Sequence, residues 1–123
     1  MAKILLVDDY FETREIYTKL LTQAGHTVIQ ESDGKSAYQK ILDESFDLIL
    51  LDIYLPQMGA VEILKNLKQN QIGVKYIVVM SVIGQENLVK DALSNGAVGN
   101  VVKSSLSHTE VVNNILSYLK KTI

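Results

Sequence analysis

Leu48-Ile49-Leu50-Leu51-Asp52-Ile53-Tyr54-Leu55-Pro56 decides the fold of this chain. An unbroken apolar run ends in a carboxylate, and the only proline of the sequence follows four residues later. A strand covered on both faces shows no alternation of apolar and polar residues, so Leu48 to Leu51 reads as the middle of a parallel sheet with Asp52 at its carboxyl edge. Open α/β sheets bind ligands at that edge.

Toward the N-terminus, Ile4-Leu5-Leu6-Val7 repeats the pattern, an apolar run stopped by Asp8-Asp9. From Phe11 to Ala24, Ile16, Leu20, Leu21 and Ala24 fall at helical spacing, and Gly25 supplies the stop. Thr27-Val28-Ile29 is a second, shorter strand. Asp33-Gly34 turns into a helix over Lys35 to Glu44 with an apolar stripe of Ala37, Ile41 and Leu42. Beyond Pro56, Ala60, Ile63, Leu64 and Leu67 mark a third amphipathic helix, ended by Asn70 to Gly73. Tyr76-Ile77-Val78-Val79-Met80 is a fourth apolar run, ending in Ser81. Gly84 opens a helix whose core face is predicted to be Leu88, Val89, Ala92 and Leu93, ended by Asn95-Gly96. Gly99 and Asn100 lead into a short fifth strand, Val101-Val102, which ends in Lys103. Ser107-His108-Thr109-Glu110 is a capping box, and the helix after it buries Val112, Ile115, Leu116 and Leu119.

Strand and helix thus alternate five times. Parallel neighbours need crossover connections, so the expected fold is α/β: a doubly wound, five-stranded parallel sheet with helices on both faces. A closed eight-unit barrel would need about 250 residues. With 123 residues the chain, residues 1–123, reads as a single domain with no output domain attached. A 47% hydrophobic content suits a globular core, and a net charge of −2 without a basic patch argues against direct nucleic-acid binding. Cysteine is absent, which excludes disulfides and thiolate metal sites, and the N-terminus is neither a signal peptide nor a membrane span. A cytoplasmic location is the expectation.

The ends of strands one, three, four and five carry Asp8-Asp9, Asp52, Ser81 and Lys103. A parallel sheet places all four ends on one rim. Carboxylates crowded there repel each other unless cations compensate, and a hard divalent ion such as Mg²⁺ does so with carboxylates, backbone carbonyls, waters and phosphate oxygens. A metal, an ammonium, a hydroxyl and a carboxylate together make a site for phosphoryl transfer. Asp52 is then the phosphoacceptor, a nucleophile that becomes an acyl phosphate. Asp9, with Asp8 behind it, holds the metal; Ser81 donates to the phosphoryl group, and Lys103 pairs with another of its oxygens.

Asp8-Asp9, Asp52 with Pro56, Ser81 and Lys103, in this order and spacing, resemble the motif set of response-regulator receiver domains. The resemblance spans the whole chain. It implies a flavodoxin-like (βα)5 fold and a Mg²⁺ set of Asp8, Asp9, Asp52 and Tyr54. It also implies a phosphohistidine donor on a sensor histidine kinase or histidine phosphotransfer protein. Self-catalysed transfer makes such a protein a switch and not an enzyme in the usual sense, with a downstream protein partner reading the fourth helix, fifth strand and fifth helix.

Several positions depart from the family pattern. Val82 stands where a small residue usually follows the hydroxyl, and is expected to narrow the path to Asp52. Asn100 replaces an aromatic residue, and Ser104 replaces a proline, leaving a loop that is expected to be trans or strained because a non-proline cis bond costs roughly 3–4 kcal/mol. Gly59-Ala60 opens the third helix where Asp-Gly is usual. Tyr54 and Ile83, at two positions that tune phosphate lifetime, offer no amide or carboxylate to orient water, so slow loss of phosphate is expected.

Blander roles exist for each residue: helix capping for Asp8 and Asp9, strand termination for Asp52 and Ser81, solvation for Lys103. His26 and His108 read as surface residues, Tyr10, Tyr38, Tyr76 and Tyr118 as packing residues, and Asn113-Asn114 as a solvated face. The main functional alternative is a receiver-fold interaction module that works without phosphate. A haloacid-dehalogenase-type phosphohydrolase needs a second aspartate where Tyr54 stands. A flavodoxin or dinucleotide site lacks its glycine-rich loop.

Overall fold

The structure, a computed structural model, describes residues 1–74 and 76–120. The elements are β1 (Lys3–Val7), α1 (Phe11–Gln23), β2 (Thr27–Glu31), α2 (Gly34–Asp43), β3 (Leu48–Asp52) and α3 (Ala60–Gln69), then β4 (Ile77–Ser81), α4 (Glu86–Ser94), β5 (Gly99–Val102) and α5 (His108–Leu119). A single 3₁₀ turn, Lys103–Ser105, joins β5 to α5. The strands form one parallel sheet in the order β2-β1-β3-β4-β5.

Every residue of β3 is buried, which explains its unbroken apolar sequence. Leu48 and Leu50 pack into the core beneath α1 and α5, with Tyr17, Leu21, Val111 and Ile115. Ile49 and Leu51 face the opposite core, with Ala37, Ile41, Ile63 and Leu64 from α2 and α3. Each such side chain contributes roughly 1.5–3 kcal/mol when withdrawn from water. β1 divides in the same way, Ile4 and Leu6 to one side and Leu5 and Val7 to the other. The chain winds outward from β1 to β2 in one direction and from β3 to β5 in the other. The reversal lies between β1 and β3, so Asp8-Asp9 and Asp52 leave the sheet side by side at its switch point.

Four helical faces differ from the periodic expectation, α5 in burying Val111 while Leu116 is only partly covered. In α1 the buried pair is Tyr17 and Leu21, while Ile16 is exposed, because α1 rests against both the sheet and α5 and turns its Tyr17–Leu21 row inward. Leu42 of α2 is likewise exposed. In α4 only Ala92 is buried, and Leu88 and Leu93 are exposed: a short helix over the β4–β5 end of the sheet has only one row with anything to pack on. α3 buries all four expected residues. β2 extends past Ile29 through Gln30 and Glu31, polar residues that an edge strand tolerates.

The α5 capping box forms as expected, with Ser107 Oγ accepting from the Glu110 amide and Glu110 Oε1 from the Ser107 amide. Gly99 lies beneath the Tyr118 ring, in space that any side chain on β5 would invade. The peptide bond into Ser104 is trans, as is every other among the described residues.

Candidate functional site

Asp8 is fully buried at the end of β1. Its Oδ1 accepts the Tyr10 amide at 2.9 Å, and its backbone is fixed by Arg14, whose guanidinium donates to the Asp8 carbonyl at 2.7 Å. The N-cap of α1 is Tyr10, without a side-chain cap, so neither aspartate is spent on capping that helix. Asp52 lies across from β1 at the end of β3 and is 9% exposed. The sheet continues one step past it, the Ile53 amide donating to the Met80 carbonyl at 2.7 Å, which holds the acid at the rim.

Lys103 begins the turn after β5 and reaches back across the rim. Its Nζ donates to Asp8 Oδ2 and to Asp52 Oδ2, both at 3.1 Å. Asp8, Asp9 and Asp52 each place a carboxylate oxygen within 4.8 Å of the others, Asp9 on the open side. Three acids against one ammonium leave the cluster with excess negative charge. An oxygen-only set with one exposed member and two buried ones fits a hard divalent cation such as Mg²⁺. Tyr54 and Asp9 line the same hollow, of about 460 Å³, with Pro56 and Gly59.

Electrostatics follow from this crowding. Burial, opposed by the Lys103 charge and assisted by Asp8 and Asp9, lifts the Asp52 carboxyl from its ordinary 3.8 to about 6. Burial alone would pull the Lys103 ammonium down, but Asp52 and Asp8 outweigh it and hold its pKa above the usual lysine value. Tyr17, buried beneath the site, is pushed up by desolvation.

Ser81 ends β4 on the same rim, almost completely buried. Its hydroxyl donates to Asn100 Oδ1 at 3.0 Å, a contact invisible in the sequence. Two other bonds on this side involve neighbours of Ser81 and Lys103 in the sequence. Ser104 Oγ accepts the Ile83 amide at 3.0 Å, and Gln85 Oε1 accepts the Val82 amide at 2.8 Å. Asn100 is the one polar side chain of β5, a short edge strand, and that was the available signal for it. Tyr10 corrects the reading of four packing tyrosines: it is exposed beside the site, while Tyr17, overlooked, is in the core. His26 accepts the Ala2 amide through Nδ1, and His108 meets the edge of Tyr17, so each has a local structural contact.

The response regulator receiver domain family matches residues 4–115. The chain belongs to that family. This receiver is 34% identical to the chemotaxis protein CheY of Bacillus subtilis over 102 residues, covering 82% of this chain and 84% of that protein. It is 29% identical to sporulation initiation phosphotransferase F of the same organism, covering 82% and 81% of the two chains. The receiver domain of a Francisella response regulator superposes with a TM-score of 0.85 over all of both chains, at 22% identity, a likeness of fold. Family membership makes this receiver a component of two-component signal transduction and not a conventional enzyme. No helix among the described residues is long and apolar enough to cross a membrane.

Proposed function

We propose that this receiver is a phosphorylated switch that accepts a phosphoryl group on Asp52 from a phosphohistidine of a sensor kinase or phosphotransfer protein. The observation that carries it is the convergence of Asp8, Asp9 and Asp52 on one point, with Lys103 Nζ 3.1 Å from two of them. An Asp52 carboxylate oxygen attacks phosphorus in line, the P–N bond to the donor imidazole breaks, and that imidazole leaves with its electron pair and takes up a proton. Asp9, Asp52, Asp8 and the Tyr54 backbone would hold Mg²⁺, which neutralises charge on the equatorial phosphoryl oxygens when bound. Lys103, already on Asp52 Oδ2, follows the charge onto the phosphoryl group, and the Ser81 hydroxyl donates to another of its oxygens.

The switched surface is the one formed by α4, β5 and α5. Leu88, Leu93 and Val98 are exposed on its α4 side, apolar groups available to a protein partner. Incubation with acetyl phosphate and Mg²⁺ should add one phosphoryl group per chain. EDTA or Asp52→Ala should prevent it. Labelling that survives Asp52→Ala would place the acceptor elsewhere, and a wild-type protein that never labels would favour the phosphate-independent interaction module.

A further inference from the structure

Ser81 has one hydroxyl proton, and in the resting protein that proton is committed to Asn100 Oδ1. A hydroxyl donates one hydrogen bond at a time. The bond to Asn100 and a bond to a phosphoryl oxygen on Asp52 therefore exclude each other. Building on the proposed role of Asp52, we propose that Asn100 is a positioning residue for the phosphoryl group: it latches Ser81 in the resting rotamer, and exchange of this one hydrogen bond is the first step of the switch.

The β-sheet register makes the latch. Ser81 pairs with Val102, so Asn100, two residues earlier on β5, points to the same face and reaches Ser81 diagonally. The loop after Ser81 is tied to the same side of the molecule, since Ser104 Oγ holds the Ile83 amide at 3.0 Å. Ser104 directly follows Lys103, so the residue next to the ammonium also holds the loop that bears the hydroxyl. Ser81, Val82, Val89, Asn100 and Val102 border a pocket of about 160 Å³. A released Asn100 amide can turn into that space without repacking the core. Asn100 thus opposes the phosphoryl-bound state by the strength of one neutral hydrogen bond, roughly a 2- to 12-fold change in an equilibrium.

A double-mutant cycle tests this, with Mg²⁺ and beryllofluoride as the phosphoryl mimic. Asn100→Leu should tighten beryllofluoride binding about 5-fold when Ser81 is present, and should have no effect in a Ser81→Ala background. Equal shifts in both backgrounds, or no shift with Ser81 present, overturn the proposal. A second arm needs no phosphate chemistry: scalar couplings across the Ser81 χ1 bond in the resting protein. Wild type and Asn100→Asp, which keeps an acceptor, should show one fixed rotamer, whereas Asn100→Leu or Asn100→Ala should average. A single unchanged rotamer in the last two also overturns it. If wild type binds no beryllofluoride, the acceptor role of Asp52 fails, and the rotamer arm alone decides whether the latch exists.

Discussion

The two halves of the sheet's carboxyl rim are built on opposite principles. Where β1 and β3 end, three carboxylates gather around Lys103, and burial, with the charges of Asp8 and Asp9, pushes the Asp52 carboxyl up to about 6 against the pull of the ammonium. Where β4 and β5 end, Lys103 reaches away to those carboxylates, and the neutral groups left behind are already bonded to each other, Ser81 to Asn100 and the Ile83 amide to Ser104. The first half is short of positive charge and gains by taking up a cation. The second has no such deficit and must break a bond before it can do anything else. On the proposals above, the charged half carries the chemistry and the neutral half delays the switch.

Removing the cation of the charged half should have the largest effect. Lys103→Met leaves a fully buried Asp8 and a buried Asp52 unpaired, which should cost about 3 kcal/mol of stability, part of it restored by Mg²⁺. Chemical denaturation with and without Mg²⁺ reads this. A variant as stable as wild type would mean that the ion pairs are solvated and the contrast between halves is superficial.

Acid should sharpen the same contrast. Because the folded pKa of Asp52, about 6, exceeds its ordinary 3.8, the folded protein binds this proton more tightly than the unfolded chain. The resulting stabilisation is complete below pH 3.8 and lost as pH rises through about 6. In metal-free buffer, wild type should therefore lose about 2 kcal/mol relative to Asp52→Asn between pH 4 and pH 7. Parallel stability curves for the two proteins would show that Asp52 is not strained.

If Asp52 takes up a phosphoryl group as proposed, rim side chains on both sides should set how long it lasts. Tyr54 and Ile83 are 73% and 71% exposed and present no amide or carboxylate to an attacking water. Tyr54→Asn or Ile83→Glu should speed loss of phosphate by about tenfold, below the range a fully positioned acid or base supplies. Decay of the isolated phosphoprotein measures it. The smallest change is expected in the neutral half: Ser104→Ala should lower stability by about 1 kcal/mol or less, while Mg²⁺ affinity stays as it was. A matching loss of Mg²⁺ affinity would join the halves that are separated here.

The sheet was legible because β3 and the other inner strands carry their burial as uninterrupted apolar runs, and a run ending in Asp, Ser or Lys marks the rim directly. The charged half could be read for the same reason: strand ends in a parallel sheet share an edge whatever their distance along the chain. α1 and α4 were harder. Ile16, Leu88 and Leu93 are as apolar as buried residues, and only the neighbours that a helix happens to have decide which row is covered. The neutral half lay beyond periodicity altogether. The Ser81–Asn100 contact depends on a diagonal across β4 and β5 and on the choice of one side-chain rotamer, and neither leaves a pattern in the sequence.

Magnesium titration followed by backbone amide NMR tests the charged half most directly. Saturable shifts should concentrate at Asp8 to Tyr10 and Asp52 to Tyr54, and Asp9→Asn should weaken them strongly while the amides of α2 and α3 stay still. Shifts spread evenly over the acidic surface, or none that saturate, would contradict the account.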